Sequence, residues 1–194
     1  MVASMALHLA QDPAADELLS RDPLALMIGM VLDQQFPMER AFASPYLLAQ
    51  RLGTDRLDAR DIAEMDADAL VGAFTGPPAL HRFPVSMAAR VQALCRLLVA
   101  HYGGDAAAVW AGADSGSALV VCLEGLPGFG RQKARIFLAL LGKQLGIRPD
   151  GWQAAADPYG AEGSYRSVAD VTGPDSLAAV REFKRATKAV TQSG

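Results

Sequence analysis

The run Leu126-Pro127-Gly128-Phe129-Gly130-Arg131-Gln132-Lys133-Ala134-Arg135 sets a two-glycine turn directly before a basic and strongly apolar segment. Gly128 and Gly130 can adopt backbone angles closed to residues with a Cβ, and they let the main chain approach a ligand closely. The segment after them begins a helix. The first N–H groups of a helix have no partner within it, and together with the helix dipole they attract phosphate. Leu126 and Phe129 are expected to anchor the turn to the helices on either side. This is the pattern of a helix-hairpin-helix, and the partner it implies is a nucleic-acid backbone held without regard to base sequence.

Two glycines alone would fit an ordinary helix–turn–helix connection. The complete pattern and the charge that follows it favour the sharper reading. Between Glu124 and Asp150 no acidic residue occurs, whereas Arg131, Lys133, Arg135, Lys143 and Arg148 do. The whole chain carries a net charge of −3, unlike a general nucleic-acid binder. Any such site must be a local patch, and residues 125–149 are the expected one.

The 194 residues, 51% of them hydrophobic, suffice for one compact unit with a sizeable core. Cys95 and Cys122 lie far apart among apolar residues and read as core thiols rather than a disulfide. His8, His81 and His101 are isolated, and no Cys or His cluster has metal spacing, so neither a zinc site nor an iron–sulfur cluster is expected. The N-terminal segment lacks the features of a signal peptide and no apolar run reaches membrane-spanning length, which leads us to expect a cytoplasmic, nucleoid-associated protein.

The chain reads as nearly all helical. A short helix is expected over 14–20. Asp22-Pro23 then opens a second, with Asp22 as N-cap and Pro23 in the first turn. The segment 24–35 is apolar on nearly every side, which marks it as central to the core. Further helices are expected over 38–51, 61–74, 85–102, 105–111, 116–124, 131–145 and 175–190. Gly76-Pro77-Pro78 and Gly103-Gly104 act as breaks, and 146–165 reads as a Gly- and Pro-rich loop.

Taken together, the hairpin, the segment Asp22-Pro23-Leu24 through Val31-Leu32-Asp33-Gln34-Gln35, and the helix 85–104 ending in Tyr-Gly-Gly resemble the helix-hairpin-helix (HhH-GPD) superfamily of base-excision DNA glycosylases. The likeness covers about residues 22–150 and is nearest to an actinobacterial-looking branch of the superfamily. It implies a two-lobed all-α fold: residues 23–141 as a helical core lobe, 1–22 with 142–194 as the second, the whole 1–194 forming one globular unit. It also implies chemistry. The damaged nucleotide is flipped into a cleft between the lobes, and an Asp after the second hairpin helix stabilises positive charge on the sugar or activates water. Counting from the hairpin, Asp150 falls at that position, with Asp157 as runner-up; as a turn residue in Pro149-Asp150-Gly151, Asp150 would equally be structural.

Bifunctional members of the superfamily carry a Lys two residues after the second hairpin glycine, where its amine forms a Schiff base with the sugar. That position holds Gln132 here, and Lys133 lies about 100° further round the helix. The expectation is therefore a monofunctional glycosylase without lyase activity, with Lys133 a solvated or phosphate-contacting cation. By the same resemblance, Leu126, Gly128, Phe129, Gly130, Arg131 and Lys133 would hold the DNA backbone. Gln35, with Gln34 beside it, would fill the gap left by the flipped base, unless it is simply a solvated loop amide; Phe36 could be the wedge instead.

Trp152 and Tyr159 could stack on a base or staple the C-terminal segment to the core. His81 could border the pocket, though a satisfied surface or capping group is the commoner role. Arg181, Lys184, Arg185 and Lys188 recur at helical spacing, as a solvated face or a second phosphate surface. No cofactor is expected, apart from a monovalent or divalent cation that the hairpin loop could hold. The expected partner is double-stranded DNA, bound by a monomer. The rivals are a non-catalytic binder of DNA damage or DNA structure with the same fold, and a helical protein-interaction module.

Overall fold

The computed structural model describes residues 6–192, which form helices and connecting loops without a strand. Eleven α-helices occur among the described residues: α1 (Pro13–Arg21), α2 (Pro23–Leu32), α3 (Met38–Arg51), α4 (Ala59–Glu64), α5 (Ala67–Thr75), α6 (Pro84–Tyr102), α7 (Ala108–Ala111), α8 (Gly116–Glu124), α9 (Arg131–Gln144), α10 (Trp152–Ala155) and α11 (Pro174–Gln192). A single 3₁₀ turn spans Val168–Asp170. The buried apolar side chains from both sequence-expected lobes join in one continuous cluster. No helix among the described residues is long and apolar enough to cross a membrane.

Helix α2 is the axis of this core, with every residue from Leu24 to Leu32 buried. Its start is fixed by Asp22, itself 2% exposed. One carboxylate oxygen of Asp22 accepts from Leu24 N–H and Ala25 N–H at 3.0 and 3.2 Å, and the other from Leu57 N–H at 2.9 Å. One side chain thus caps α2 and ties it to the loop before α4, as the N-cap reading requires. Midway along, a Cβ on Gly29 would come within 2.6 Å of the Phe42 ring, so glycine lets α3 lie close against α2.

The expected single helix over 61–74 is in fact two, α4 and α5, broken at Met65-Asp66. Asp66 starts the second by accepting from Ala69 N–H at 3.0 Å. The break leaves backbone carbonyls over, and the buried Gln92 of α6 takes two of them: its Nε2 donates to Ile62 O at 3.2 Å and Met65 O at 2.7 Å. Amphipathic spacing alone could not reveal this, because both pieces bury their apolar residues against the same helix, α6.

The hairpin joins α8 to α9. Leu126 and Phe129 are 3% and 4% exposed, and Phe129 packs edge-on to Phe137 of α9. Gly128 has φ +88°, and a Cβ there would lie 3.0–3.1 Å from Val31 and Arg90. The turn is therefore pressed onto the C-terminal end of α2 and onto α6. Beyond α9, Trp152 covers Gly142, where a Cβ would meet its ring at 2.4 Å. Trp152 is thus a staple. The next loop is held by Asp170, which forms a buried ion pair with Lys143 at 2.6 Å and accepts from Arg166 N–H at 2.8 Å and Ser167 N–H at 3.2 Å.

Candidate functional site

Helix α2 ends at Leu32, and the chain turns sharply through 33–37 before α3. Gln35 adopts a left-handed conformation, φ +51°, uncommon for a residue with a Cβ. Two contacts hold this turn. The buried His81 takes Phe83 N–H onto Nδ1 at 3.0 Å, so its proton sits on Nε2 and donates to Gln34 O at 3.0 Å. Phe36 packs beside the His81 ring, 4.8 Å between centroids, with the Arg40 guanidinium 4.8 Å from the centre of its own ring. Burial pushes the His81 imidazole below its ordinary value of 6.5. His81 therefore clamps the turn as a neutral ring.

Beside this turn lies a cleft of about 750 Å³. Met30, Asp33, Gln35 and Phe36 line one side; Gln132, Lys133 and Ile136 of α9 line the second; Pro158 and Tyr159 belong to the loop after α10; Arg166, Phe183, Lys184, Thr187 and Lys188 complete it from the C-terminal segment. The cleft is thus bordered by the second helix of the hairpin. Its one carboxylate is Asp33, and its cations are Lys133, Arg166, Lys184 and Lys188.

The two central charges perturb one another. Burial pushes the Asp33 carboxyl up, against the pull of Lys184 and Lys133. Burial pushes the Lys133 ammonium down to about 8, Asp33 opposing the shift and Arg90 adding to it. A carboxylate and an amine displaced toward neutrality in one cleft are a recurrent mark of a reacting centre. Lys133 also has a structural duty, since its Nζ donates to Val31 O at 3.0 Å and so satisfies a carbonyl at the C-terminal end of α2.

Lys133 is therefore neither a solvated cation nor one reaching outward to phosphate, as the sequence suggested. The α9 face bearing it crosses the open end of α2, whose carbonyls draw the ammonium inward. The basic run is likewise less exposed than its composition implies. Lys143 is consumed by Asp170, Arg148 donates to Gly142 O at 2.9 Å, and Arg135 donates to Asp157 O at 3.3 Å. Arg131 remains largely exposed at the start of α9, 4.0 Å from Glu124. Leu126 and Phe129 present buried side chains, so any contact they make with a ligand runs through their main chain.

Asp150 is exposed and lies outside the lining of the cleft. It sits in a tight turn: Gly151 has φ +67°, Trp152 N–H donates to Pro149 O at 3.0 Å, and the Asp150 carbonyl accepts from Gly116 N–H at 2.8 Å. Asp157 is exposed too, but its successors Pro158 and Tyr159 reach the cleft. Gln35 stands exposed at the rim and Gln34 is half-buried, 3.5 Å from Arg90 Nη1. Gln132 does enter the lining, and its Nε2 donates to the Tyr159 hydroxyl at 2.8 Å. Of the four C-terminal cations, Lys184 and Lys188 face the cleft while Arg181 pairs with Glu39.

Asp33 escaped the sequence reading. A signal was nonetheless present: an acidic residue directly after an all-apolar helix stands at the negative end of the dipole, where it weakens the helix by about 0.3–1 kcal/mol. Such a residue invites a functional explanation. Among the described residues, no group of three or more His, Cys, Asp or Glu side chains is placed to hold a metal ion. No protein-family model matches the chain, and no curated protein matches its sequence.

Proposed function

We propose that this chain binds double-stranded DNA and acts as a monofunctional base-excision glycosylase of the helix-hairpin-helix kind. It would take a damaged base out of the duplex and hydrolyse the N-glycosidic bond without cutting the strand. The observation that supports this reading is the cleft: roomy enough to admit a nucleoside, lined in part by aromatic side chains, bordered by the hairpin's second helix, and holding a carboxylate and an amine both displaced toward neutrality. Extrusion of a nucleotide into such a pocket is the usual answer to chemistry on a stacked base.

In this reading Gly128, Gly130 and Arg131 grip the phosphates through main-chain N–H groups and one guanidinium. Gln35, already held in a strained turn at the rim, fills the space the base vacates. Asp33 takes the part that the resemblance gave Asp150, its carboxylate flanking the sugar as positive charge develops at C1′. The test is base release from duplexes carrying single defined lesions, comparing wild type with Asp33→Asn and Asp150→Asn. Release abolished by Asp33→Asn alone, with DNA binding intact, supports the reading. Binding without release from any lesion would make the chain a non-catalytic DNA binder.

The inward aim of Lys133 favours a second reading, in which strand cleavage follows. Its free amine would add to the C1′ aldehyde of the abasic product and expel water, leaving an imine. Borohydride reduction of that imine to a stable cross-link, lost in Lys133→Met, separates the two readings.

A further inference from the structure

Resting on the glycosylase reading above, we infer that the cleft is built for bases that gain negative charge as their bond breaks, namely neutral, carbonyl-bearing bases of the deaminated or oxidised kind, and that it disfavours N-alkylated purines that are already cationic. Three independent features of the cleft carry the inference.

The first is charge. Four cations, Lys133, Arg166, Lys184 and Lys188, surround a space holding one carboxylate, Asp33. A base that already bears positive charge would be brought into repulsive surroundings, strengthened by partial exclusion of water. A base accumulating negative charge as its bond breaks would be stabilised there.

The second is the state of the aromatic walls. A cationic base is typically held by electron-rich ring faces. Here the Arg40 guanidinium stands 4.8 Å from the centre of the Phe36 ring, and that of Arg166 stands 5.2 Å from the centre of the Phe183 ring. Two of the three aromatic residues lining the cleft are thus already engaged with a cation.

The third is hydrogen-bonding polarity. The Tyr159 hydroxyl accepts from Gln132 Nε2 at 2.8 Å, which leaves its O–H to donate. That hydroxyl, and the N–H groups of the Lys133 ammonium beyond the one given to Val31 O, are donors within the cleft, and a base with carbonyl oxygens supplies acceptors for them.

The chemistry balances without a further reagent. As the C1′–N bond breaks, its electron pair passes to the base, and an Nζ–H proton of Lys133 moves onto the departing ring. Asp33 flanks the sugar cation. Water then adds to C1′ and returns a proton to the Lys133 amine. A base that is cationic beforehand leaves neutral and has no use for that proton.

The test is single-turnover excision by the full chain from duplexes holding one uracil, hypoxanthine, xanthine or 8-oxoguanine, against duplexes holding one 7-methylguanine or 3-methyladenine. Each rate is divided by that of spontaneous loss. The expected result is release of at least one neutral base with a far larger enhancement than either alkylated purine. Lys133→Met should lower neutral-base release by roughly 10²–10⁴-fold, and lower any alkylpurine release by far less. Because Lys133→Met also removes the donor to Val31 O, the double variant Lys184→Gln/Lys188→Gln, on the outer wall, provides a second reading: it should shift the preference toward alkylpurines. Preference for alkylpurines in the wild type, or equal loss on both classes in Lys133→Met together with an unchanged preference in the α11 double variant, would overturn the inference while the glycosylase reading stands. Release of no base from any duplex would overturn both.

Discussion

The hairpin at 125–130 packs on Val31, near the start of the turn at 33–37, and on Arg90, which stands 3.5 Å from Gln34 of that turn, yet the two regions contribute in opposite ways. The hairpin buries its large side chains and offers main chain, so its sequence is constrained at Leu126, Gly128 and Phe129 and can be recognised as a pattern. The turn offers side chains, Asp33, Gln35 and Phe36, to a cleft that exists only once α9 and α11 have closed around it. One region is defined by local backbone demands; the other acquires its meaning from tertiary neighbours. The proposed chemistry is concentrated in the second kind of region.

The sharpest way to break that comparison is at Asp33. Asp33→Asn is expected to reduce base release by roughly 10²–10⁴-fold, about 3–5 kcal/mol in the barrier, and to leave duplex affinity within a few-fold. Asp150→Asn should leave the rate within a few-fold. A reversal of the two, in parallel single-turnover assays, would return the chemistry to the hairpin side.

The next largest effect belongs to the hairpin itself. Gly128→Val places a branched side chain at φ +88° against Val31 and Arg90, and should cost about 2–4 kcal/mol of stability in urea denaturation. Since Gly128 supplies backbone shape and no reactive group, the surviving folded fraction should lose DNA affinity more than it loses the rate of the chemical step.

Dependence on pH sharpens the contrast further. Lys133 has its ammonium pushed down to about 8, so it holds its proton below that pH and loses it above. Excision of neutral bases should fall about tenfold per unit once pH rises past 8, with an acid limb where Asp33 takes up a proton. The two limbs belong to the coupled pair rather than to either group alone, and Lys184, Glu39 and Arg90 also face them. A rate still rising above pH 9 would exclude Lys133 as the acid.

A smaller effect is expected at His81. Its folded value lies below the ordinary 6.5, so the folded state resists a proton that the unfolded chain accepts. Its contribution to stability is full above pH 6.5 and is lost as the pH falls below that value toward the depressed one. His81→Leu should cost about 1–3 kcal/mol by leaving Gln34 O and Phe83 N–H unpaired, and should abolish that part of the acid sensitivity in denaturant titrations from pH 7 to 5. The smallest effect is at Gln35: Gly there should be neutral or stabilising by a few tenths of a kcal/mol, since φ +51° suits glycine, while removing the side chain at the rim.

Most helices could be read from the sequence because their signals are local: Asp22-Pro23 opens α2, Gly103 closes α6, and the two-glycine turn separates α8 from α9. The break between α4 and α5 could not be read, because a side chain 26 residues beyond Asp66, Gln92, makes it tolerable. In the cleft, Gln35, Tyr159, Lys184 and Lys188 were singled out from sequence with their roles open. Asp33 is hard to read from sequence, since an Asp beside two glutamines looks like an ordinary polar loop and only its place after an apolar helix marks it. Lys133 was read outward from helix periodicity, which reports the face of α9 but not which helix end that face meets.

The carboxylate of Asp170 gathers Lys143, Ser164 and the main chain at 166 and 167 about one buried point. Gln144 adds its own amide to the carbonyls of Ala169 and Val171 at 2.8 and 3.1 Å. In terms of cooperative unfolding, residues 164–171 therefore belong to α9 and not to the loop that precedes them. Their amides should exchange with solvent as slowly as those of the hairpin helix, far more slowly than those of 160–163. The side of the cleft carrying Arg166 is thereby wired into the second helix of the hairpin, although it lies some twenty residues further along the chain.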